Sequence, residues 1–391
     1  MNTCLKPSLL KPLDLNTARR FALFAQGFYT SFSSPDAVLN TLGYIQIDAI
    51  SRVARAHHHV LWTRYPAHTP HTFNTLLSEG RAFEYWGHAA SYLPLSDHPY
   101  YRTLMHSFAE RSSWGQRQLA AVGHLLPEIR QRIVNEGPLQ ARHFKGQRKG
   151  SGWWQWKPAK IALELLYWQG ELMVCAREGF EKVYDVRERF LPQSLQEAPL
   201  PSAAEVADFC VTRALQAHGL MTEKAIAQHL PLSSKAALKQ ALQRGLKAGK
   251  LLSGTVPDHS APYYLQAAQW ERFLASGYAT DLPADLQNKP LRILSPFDNT
   301  VIQRERLAQL FGGNYRFEAY VPEAKRQYGY FTLPILDLGQ GQVVALIEFK
   351  AERESGILKQ LGFWPQAGWH KGLEPALAQH IQDFARFQKD H

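Results

Sequence analysis

The sequence predicts an α+β fold of several domains, and three observations lead to that class. The chain has 391 residues, and a single hydrophobic core usually stops growing before that length. The composition is that of a globular protein, with 45% hydrophobic and 20% charged residues. The order helix, short helix, longer basic helix and strand pair occurs twice before a β-rich C-terminal part. We therefore predict tandem winged helix-turn-helix domains followed by a small C-terminal β domain.

Residues 1–115 are predicted to form a degenerate winged helix. Apolar spacing predicts helices over Asp14 to Phe28 and Pro35 to Leu42, whereas YIQIDAI, from Tyr44 to Ile50, alternates like a strand. TFNTLLSEG predicts a further helix, and RAFEYWGHAASYLP predicts a strand. This domain carries the polar pair described below.

Residues 116–192 are predicted to form the second winged helix. LLPEIRQRIVNEGP predicts a helix because Leu126, Ile129 and Ile133 recur at helical spacing before Gly137 ends it. PAKIALELLYWQGEL predicts a longer helix, and MVCAREGFEKVYDV predicts a hairpin around Gly179. A linker with three prolines, LPQSLQEAPLPS, follows and gives the clearest domain boundary.

The third winged helix is predicted over residues 200–285, and a β domain over residues 286–391. Gly219 ends the first helix of the third domain, LMTEKAIAQHL supplies the second, and Ser233-Ser234 offers N-caps for the third. LLSGTVPDHSAPYYLQ is the predicted wing. In the last domain YRFEAYVPE, YGYFTLPILDL and QVVALIEFKAE are predicted to be β-rich, with a closing helix over Pro375 to Gln388.

The charge balance indicates a polyanionic partner. Lysine and arginine number 44 against 34 acidic residues, a formal net charge of +10, which favours nucleic acid or an anionic membrane surface. No apolar stretch approaches the roughly 18 to 20 residues of a spanning helix, and the N-terminus lacks an apolar signal segment. We expect a cytoplasmic, nucleoid-associated protein that does not bind membranes. The three cysteines are widely spaced, which argues against disulfides and a zinc ribbon.

Two basic runs are the strongest sign of DNA contact. Six lysines or arginines and no acid lie between Arg142 and Lys160, and the same holds between Lys224 and Lys250. Both runs fall on predicted second and third helices of winged helices, where that fold meets phosphates. The alternative is a solvated lysine-rich helix face. The predicted contacts of the first run are Lys145, Arg148, Lys149, Lys157 and Lys160.

Gln46 and Asp48 form a candidate reactive pair. In a strand Ile45, Ile47 and Ala49 would enter the core, while Gln46 and Asp48 would share the other face about 7 Å apart. A carboxylate beside a carboxamide can hold and deprotonate a water molecule or face a developing cation. The alternative is an ordinary exposed strand face with two polar residues.

No sequence motif predicts a bound cofactor or a metal site. His57, His58 and His59 are consecutive and cannot all face one ion; beside Arg52, Arg55 and Arg64 they indicate a phosphate-facing surface. GQRKGSG lacks the spacing of a phosphate loop, and strand-linked GxGxxG, GxSxG and HExxH motifs do not occur.

Several long segments resemble the AlkZ/YcaQ family of bacterial winged-helix DNA glycosylases, specifically its YcaQ (AlkX) branch. The resemblance runs over nearly the whole chain and is carried by LGYIQIDAISRVARAHHHVLWTRY, EYWGHAASYLP, KGSGWWQWKPAK, KVYDVRERFLP, LSPFDNTVIQRERLAQLF and KRQYGYFTLPIL. It implies tandem winged helices with a C-terminal β domain. The family's catalytic Gln-x-Asp motif corresponds to Gln46-Ile47-Asp48. One departure is Ile302-Gln303, where the YcaQ branch has a tryptophan.

The resemblance implies a monofunctional enzyme that excises N7-alkylated guanine and unhooks nitrogen-mustard-type interstrand crosslinks. N7 alkylation leaves the base cationic and a good leaving group, so the general acid of ordinary glycosidases is dispensable. Asp48 is expected to act as general base and to stabilise the oxocarbenium-like sugar, with Gln46 orienting the water. The expected product is an abasic site without a strand break.

The resemblance also implies further DNA contacts, for which core packing is the alternative in the case of Tyr85 and Trp86. The predicted set is Arg52, Arg55, His57, Tyr85, Trp86, His88, Lys325, Arg326 and Tyr328. The expected partner is double-stranded DNA with alkylated or crosslinked guanine, bound by a monomer. The competing hypothesis is a non-catalytic winged-helix regulator, although such proteins usually bind palindromes as dimers.

Overall fold

The computed structural model describes residues 12–144, 158–352 and 357–390. Its helices are α1 (Leu15–Ala25), α2 (Pro35–Leu42), α3 (Ala56–Trp62), α4 (Thr72–Ser78), α5 (His98–His106), α6 (Phe108–Arg111), α7 (Ser113–Val122), α8 (Leu126–Glu136), α9 (Pro158–Trp168), α10 (Arg187–Phe190), α11 (Gln193–Glu197), α12 (Ala203–His218), α13 (Glu223–His229), α14 (Lys235–Lys247), α15 (Ala267–Ala275), α16 (Ala284–Gln287), α17 (Asn299–Ile302), α18 (Arg304–Phe311) and α19 (Glu374–Asp390). Its strands are β1 (Ile45–Gln46), β2 (Ala82–Trp86), β3 (Ala90–Pro94), β4 (Leu139–Gln140), β5 (Leu172–Glu178), β6 (Glu181–Val186), β7 (Leu220–Thr222), β8 (Leu251–Gly254), β9 (Tyr263–Gln266), β10 (Leu291–Ile293), β11 (Thr332–Asp337), β12 (Gln342–Glu352) and β13 (Ile357–Pro365).

The chain divides into two compact units. Unit 1 consists of Met1–Pro70, Trp86–Ser91 and Ala203–His391, and unit 2 of His71–Tyr85 and Tyr92–Ser202. The division therefore passes through the predicted N-terminal domain, because the strands β2 and β3 carry the chain from one unit to the other and back. Within the described ranges, no helix combines the length and the apolar character that crossing a bilayer requires.

In unit 2 the predicted helix and hairpin of residues 126–186 are confirmed. Helix α8 buries Ile129 and Ile133 and ends at Gly137, whose φ of 90° suits glycine. Strands β5 and β6 form the predicted hairpin, with Glu178 opposite Glu181 across the turn. With β4 they make an antiparallel sheet of order β4-β6-β5.

In unit 1 the segment from α12 to β9 repeats this arrangement. Helices α12, α13 and α14 and strands β7, β8 and β9 follow in the predicted order, and the sheet order is β7-β9-β8. Ser234 caps α14 by accepting a hydrogen bond from Ala237 N. Gly219 turns the chain after α12 with φ 75°, where a Cβ would come within 3.1 Å of the Phe21 carbonyl oxygen. The sheets of the two segments therefore share one strand order.

The rest of unit 1 contains a four-stranded antiparallel sheet of order β10-β11-β12-β13. One face packs on α19 through an apolar cluster that includes Phe331, Phe349 and Phe384. The predictions for β11, β12 and α19 are confirmed, but the prediction that YRFEAYVPE is β-rich is wrong. That segment is irregular, because the Glu318 carboxylate accepts backbone hydrogen bonds from Gln327 and Tyr328 that a strand partner would otherwise use.

Two histidines, the buried His59 and the half-buried His380, hydrogen-bond to the last residue of β10. His380 Nε2 accepts a hydrogen bond from Ile293 N at 3.0 Å, and His59 Nε2 donates to Ile293 O at 2.9 Å. Burial lowers the pKa of His59 to about 4 and that of His380 to about 3. Both rings are therefore neutral at pH 7, and their tautomers are fixed by the backbone atoms they contact.

Candidate active site

The Gln46-Ile47-Asp48 motif lies where α2 passes into a short extended segment. Gly43 ends α2 with φ 76°, and Ile47 N donates to Ala90 O at 2.8 Å. The predicted strand over residues 44–50 shortens to Ile45–Gln46. Ile45 and Ile47 are buried as predicted, but Ala49 is exposed, which contradicts the alternation expected of a longer strand.

Asp48 is the reason the strand stops. Its Oδ1 accepts a hydrogen bond from Ile50 N at 2.8 Å, which closes an Asx turn in place of a strand ladder. The carboxyl group is half-buried. Burial raises the pKa of Asp48, and the Ile50 N–H, which favours the charged form, offsets only part of that effect. The turn thus holds a carboxylate that accepts protons more readily than an exposed aspartate does.

Gln46 presents an amide oxygen that has no hydrogen-bond partner among the described residues. The side chain is 8% exposed, and its Oε1 is buried. Leaving a buried acceptor unpaired costs about 1–3 kcal/mol. A group from outside the chain that donates a hydrogen bond, such as water, would remove that cost, which makes Gln46 Oε1 a candidate ligand atom.

Asn299, at the start of α17, braces the backbone just before the motif. Its Nδ2 donates to Leu42 O and to Tyr44 O, each at 3.2 Å. Asp298 caps the same helix by accepting from Thr300 N at 2.8 Å. No sequence pattern predicts a role for Asp298 or Asn299, although both lie in the segment LSPFDNTVIQRERLAQLF, which carries the family resemblance.

Arg64 holds the Asp298 cap in place. Its Nη1 and Nη2 donate to the two carboxylate oxygens at 2.7 and 3.1 Å, and both side chains are fully buried. Burial by itself would raise the pKa of Asp298, but the Arg64 guanidinium outweighs it and leaves the pKa below its usual value. The expectation that Arg64 faces phosphates is wrong, because this buried pair uses its guanidinium.

Tyr44 and His88 lie together beside the motif. The Tyr44 ring is fully buried and stacks on His88 with the ring centroids 6.1 Å apart. His88 Nδ1 donates to Gln228 O at 3.0 Å, and Trp86, nearby in the sequence, is 47% exposed. Of the aromatic contacts predicted from EYWGHAA, Trp86 and His88 therefore lie in unit 1 with the motif.

A cationic surface begins close to Asp48 in the sequence. Arg52 and Arg326 both lie over the Tyr330 ring, with Cζ 5.9 and 5.2 Å from its centroid. Lys325 is exposed, and Arg326 Nε donates to Val321 O at 2.8 Å. The structure thus brings together Arg52 and the KRQYGYF segment, two predicted DNA contacts that are far apart in the sequence. Arg55 is half-buried at the N-cap of α3.

Three predicted contact residues are buried instead. Tyr85 is 2% exposed and its hydroxyl donates to Trp168 O at 2.7 Å. Tyr328 is 8% exposed and packs on Trp364, and His57 is buried in α3. These placements fit the packing alternative stated for Tyr85, and none of the three rings offers a face to a duplex.

The two basic runs differ in what the structure describes. Lys145, Arg148, Lys149 and Lys157 lie outside the described residues, as do the tryptophans between them, and Lys160 is exposed on α9. In the second run Arg244 pairs with Asp208 at 2.7 Å, and Lys224 pairs with Glu305. Acids from elsewhere in the chain therefore reduce the net charge of the second run.

Ile302 and Gln303, which stand where the YcaQ branch has a tryptophan, both make packing or hydrogen-bond contacts. Gln303 is buried at the junction of α17 and α18, and its Nε2 donates to Ala225 O at 3.1 Å. Ile302 packs against the apolar cluster beneath the four-stranded sheet. Across the described ranges, no three histidine, cysteine, aspartate or glutamate side chains are placed to hold a metal ion.

A buried amide oxygen and a half-buried carboxyl, on a basic chain with two cations over one tyrosine ring, suit an enzyme that acts on a polyanion. Comparison with known families makes the class specific: the family described as DNA glycosylase AlkZ-like matches residues 39–387, and the chain belongs to it. The fold is similar to that of the DNA glycosylase AlkZ of Streptomyces sahachiroi, with a TM-score of 0.62, 16% identity, and coverage of 96% of this chain and 97% of that chain. The protein is a DNA glycosylase, and its substrate is DNA.

Proposed function

We propose that this glycosylase belongs to the YcaQ branch, hydrolyses the N-glycosidic bond of N7-alkylated guanine and unhooks nitrogen-mustard-type crosslinks. The observation that carries the proposal is an unpartnered Gln46 amide oxygen two residues before a half-buried Asp48 carboxyl, whose pKa burial raises. This pair offers a base and an acceptor but no general acid. Such a site suits a base that is already cationic and leaves without protonation.

The reaction proceeds by cleavage of the C1′–N9 bond, whose electron pair moves to the base and neutralises its charge. Asp48 stabilises the oxocarbenium-like sugar and takes a proton from the attacking water, whose oxygen forms the new bond to C1′. Gln46 Oε1 accepts a hydrogen bond from that water and so orients the lone pair of the water oxygen toward C1′. Asp48 then returns the proton to solvent. The products are the free base and an abasic site with intact strands, the first intermediate of base excision repair.

We propose that DNA is held by tandem winged helices and by the cationic surface around Tyr330. The element order and the shared strand order of the segments α8 to β6 and α12 to β9 support this assignment of modules. The proposed contacts among described residues are Arg52, Arg55, Trp86, His88, Lys160, Lys325 and Arg326. Several modules in one chain suffice to grip a duplex, so the protein acts as a monomer.

The test of the mechanism is Asp48→Asn. Removing a positioned general base lowers the rate about 100- to 10,000-fold, so release of 7-methylguanine should fall by that factor under single-turnover conditions. Binding to the same duplex should stay within about threefold of the original chain, because the Asn side chain can still accept from Ile50 N.

Asp281→Asn is the matched control, since Asp281 is exposed in the same unit and its change is chemically identical. It should excise at the original rate. Undiminished turnover by Asp48→Asn would remove Asp48 from the mechanism. Rates on 7-methylguanine and on mustard-crosslinked duplexes, followed by alkali cleavage of abasic sites, test the substrate range.

A further inference from the structure

The segment between α18 and β11, residues 312–331, presents one aromatic side chain to solvent; we name it the Tyr320 loop. Tyr320 is 82% exposed, more than any other large hydrophobic side chain of the described residues. A single exposed apolar side chain is ordinary on a protein surface. What this ring could bind therefore follows from the backbone that carries it and from the side chains of the same loop.

The Tyr320 loop is firmly held although it contains no strand. The buried Glu318 carboxylate accepts hydrogen bonds from Gln327 N and Tyr328 N at 2.9 and 2.8 Å. Glu348, also buried, accepts from Tyr330 N and Phe331 N at 2.9 and 3.0 Å. Tyr320 is therefore presented from a supported backbone and not from a loosely tethered one.

An aromatic stack connects Tyr320 to the core. The Tyr320 ring meets Phe317 edge-on, with the centroids 5.9 Å apart. Phe317 in turn contacts Phe297 at 5.2 Å and Phe331 at 5.8 Å, and these two rings belong to the apolar cluster of the β-sheet. With 82% of the side chain exposed, most of the Tyr320 ring remains open to a planar partner.

The Tyr320 loop is basic. Arg316 and Lys325 are exposed, against one exposed acid, Glu323, and Arg326 lies over the Tyr330 ring, as Arg52 does. Arg52 follows Asp48 by four residues. An exposed aromatic ring on a basic loop matches a nucleobase with its phosphates, because bases stack on such rings while lysine and arginine bind the backbone. A hydrophobic protein partner would not need these charges.

We infer that Tyr320 stacks on a nucleobase beside the lesion and so positions the duplex for attack at Asp48. The inference rests on the proposed function for the identity of the lesion and for the role of Asp48. Stacking at a base step opens the groove at that step, which suits a crosslinked base that remains tethered to the opposite strand. Tyr320 is thus a positioning residue, acting on the DNA and not on the reacting atoms.

The experiment compares Tyr320→Ala, Tyr320→Phe and the control Leu274→Ala on duplexes with 2-aminopurine next to 7-methylguanine. Leu274 is half exposed on α15 of the same unit. Removing a stacking ring weakens binding about 5- to 100-fold, so Tyr320→Ala should lose that affinity and the 2-aminopurine fluorescence change. Tyr320→Phe and Leu274→Ala should stay within about threefold. All variants should unfold at the original temperature, since neither side chain is buried.

Each outcome decides the inference. Original affinity with an unchanged fluorescence response in Tyr320→Ala overturns it. Failure of Tyr320→Phe to restore binding also overturns it, because that result assigns the contact to the hydroxyl and not to the ring. If the original chain releases no alkylated base but shows a Tyr320-dependent fluorescence change, the proposed function fails and the stacking inference stands.

Discussion

At the scale of single residues, Asn299 shows how distant side chains determine the geometry of the Gln46 segment. Its amide donates to the carbonyls of Leu42 and Tyr44, and the second of these partners is 255 positions away in sequence. The sequence predicts the motif through its resemblance to a known family, because Gln46, Ile47 and Asp48 are consecutive residues; the local pattern alone is equally typical of an ordinary strand face. It cannot identify this brace, because no periodicity connects residues so far apart.

Asn299→Ala is predicted to slow excision while leaving the affinity for DNA nearly unchanged. The substitution leaves two backbone carbonyls without their donor, which costs about 1–3 kcal/mol in unfolding free energy, and it frees the segment that carries Gln46. We expect a fall in kcat of about tenfold or more with KM within about threefold of the original. Asn288→Ala, at an exposed position of the same unit, should change neither value. An unaltered kcat in a folded Asn299→Ala protein would show that the brace does not position the motif.

At the scale of elements, local patterns predict helices and hairpins well and irregular segments poorly. Helices α8 and α14 and the β5–β6 hairpin follow directly from apolar spacing, caps and a turn glycine. The sequence does not predict the short strand β10. The backbone N–H and carbonyl of its last residue, Ile293, bond to His380 and His59 from distant parts of the chain, and no local pattern shows these contacts. The β-rich prediction for YRFEAYVPE, within the Tyr320 loop, is wrong because carboxylates replace the strand ladder there.

Gly329 is the position at which this loop is most sensitive to substitution. Its φ is 132°, and a Cβ would lie 2.1 Å from Glu348 Oε2. Gly329→Ala is therefore predicted to lower the unfolding free energy by about 2–4 kcal/mol, from backbone strain of about 1–3 kcal/mol and displacement of the carboxylate. Gly249→Ala, which shares a positive φ but has open space around it, should cost only about 1–2 kcal/mol. If urea unfolding gives the same loss of unfolding free energy for both variants, the Glu348 side chain moves aside without a measurable loss of stability, and the prediction is wrong.

At the scale of the whole molecule, stability depends on histidines that remain neutral. Burial lowers the pKa of His59 and His98 to about 4 and that of His229 and His380 to about 3. In the unfolded chain these groups protonate near pH 6.5. Because the folded pKa values are lower, the unfolded state takes up more protons as the pH falls below 6.5. Their contribution to stability is complete above that pH and is lost between pH 6.5 and about 3 to 4.

Urea unfolding at pH 7, 6 and 5 should therefore show a steep loss of stability. Each buried neutral histidine contributes a slope of up to about 1.4 kcal/mol per pH unit below its unfolded pKa. In His380→Gln the glutamine amide oxygen can still accept from Ile293 N, but one titrating group is lost. The unfolding free energy of this variant should therefore fall less steeply with decreasing pH, by up to about 1.4 kcal/mol per pH unit. A transition midpoint that stays constant from pH 7 to pH 5 would contradict this prediction.

The Asn299 brace has a consequence for synthesis of the protein. The ribosome makes the Gln46 segment early, but the side chain that fixes it emerges only after roughly 250 more residues, which at about 5–20 residues per second takes on the order of 10 to 50 seconds. During that interval the nascent chain carries Gln46 and Asp48, the proposed reactive residues, without the support that orders them. A translation product that stops before Asn299 would lack the brace altogether, so base-excising activity is tied to completion of the C-terminal part.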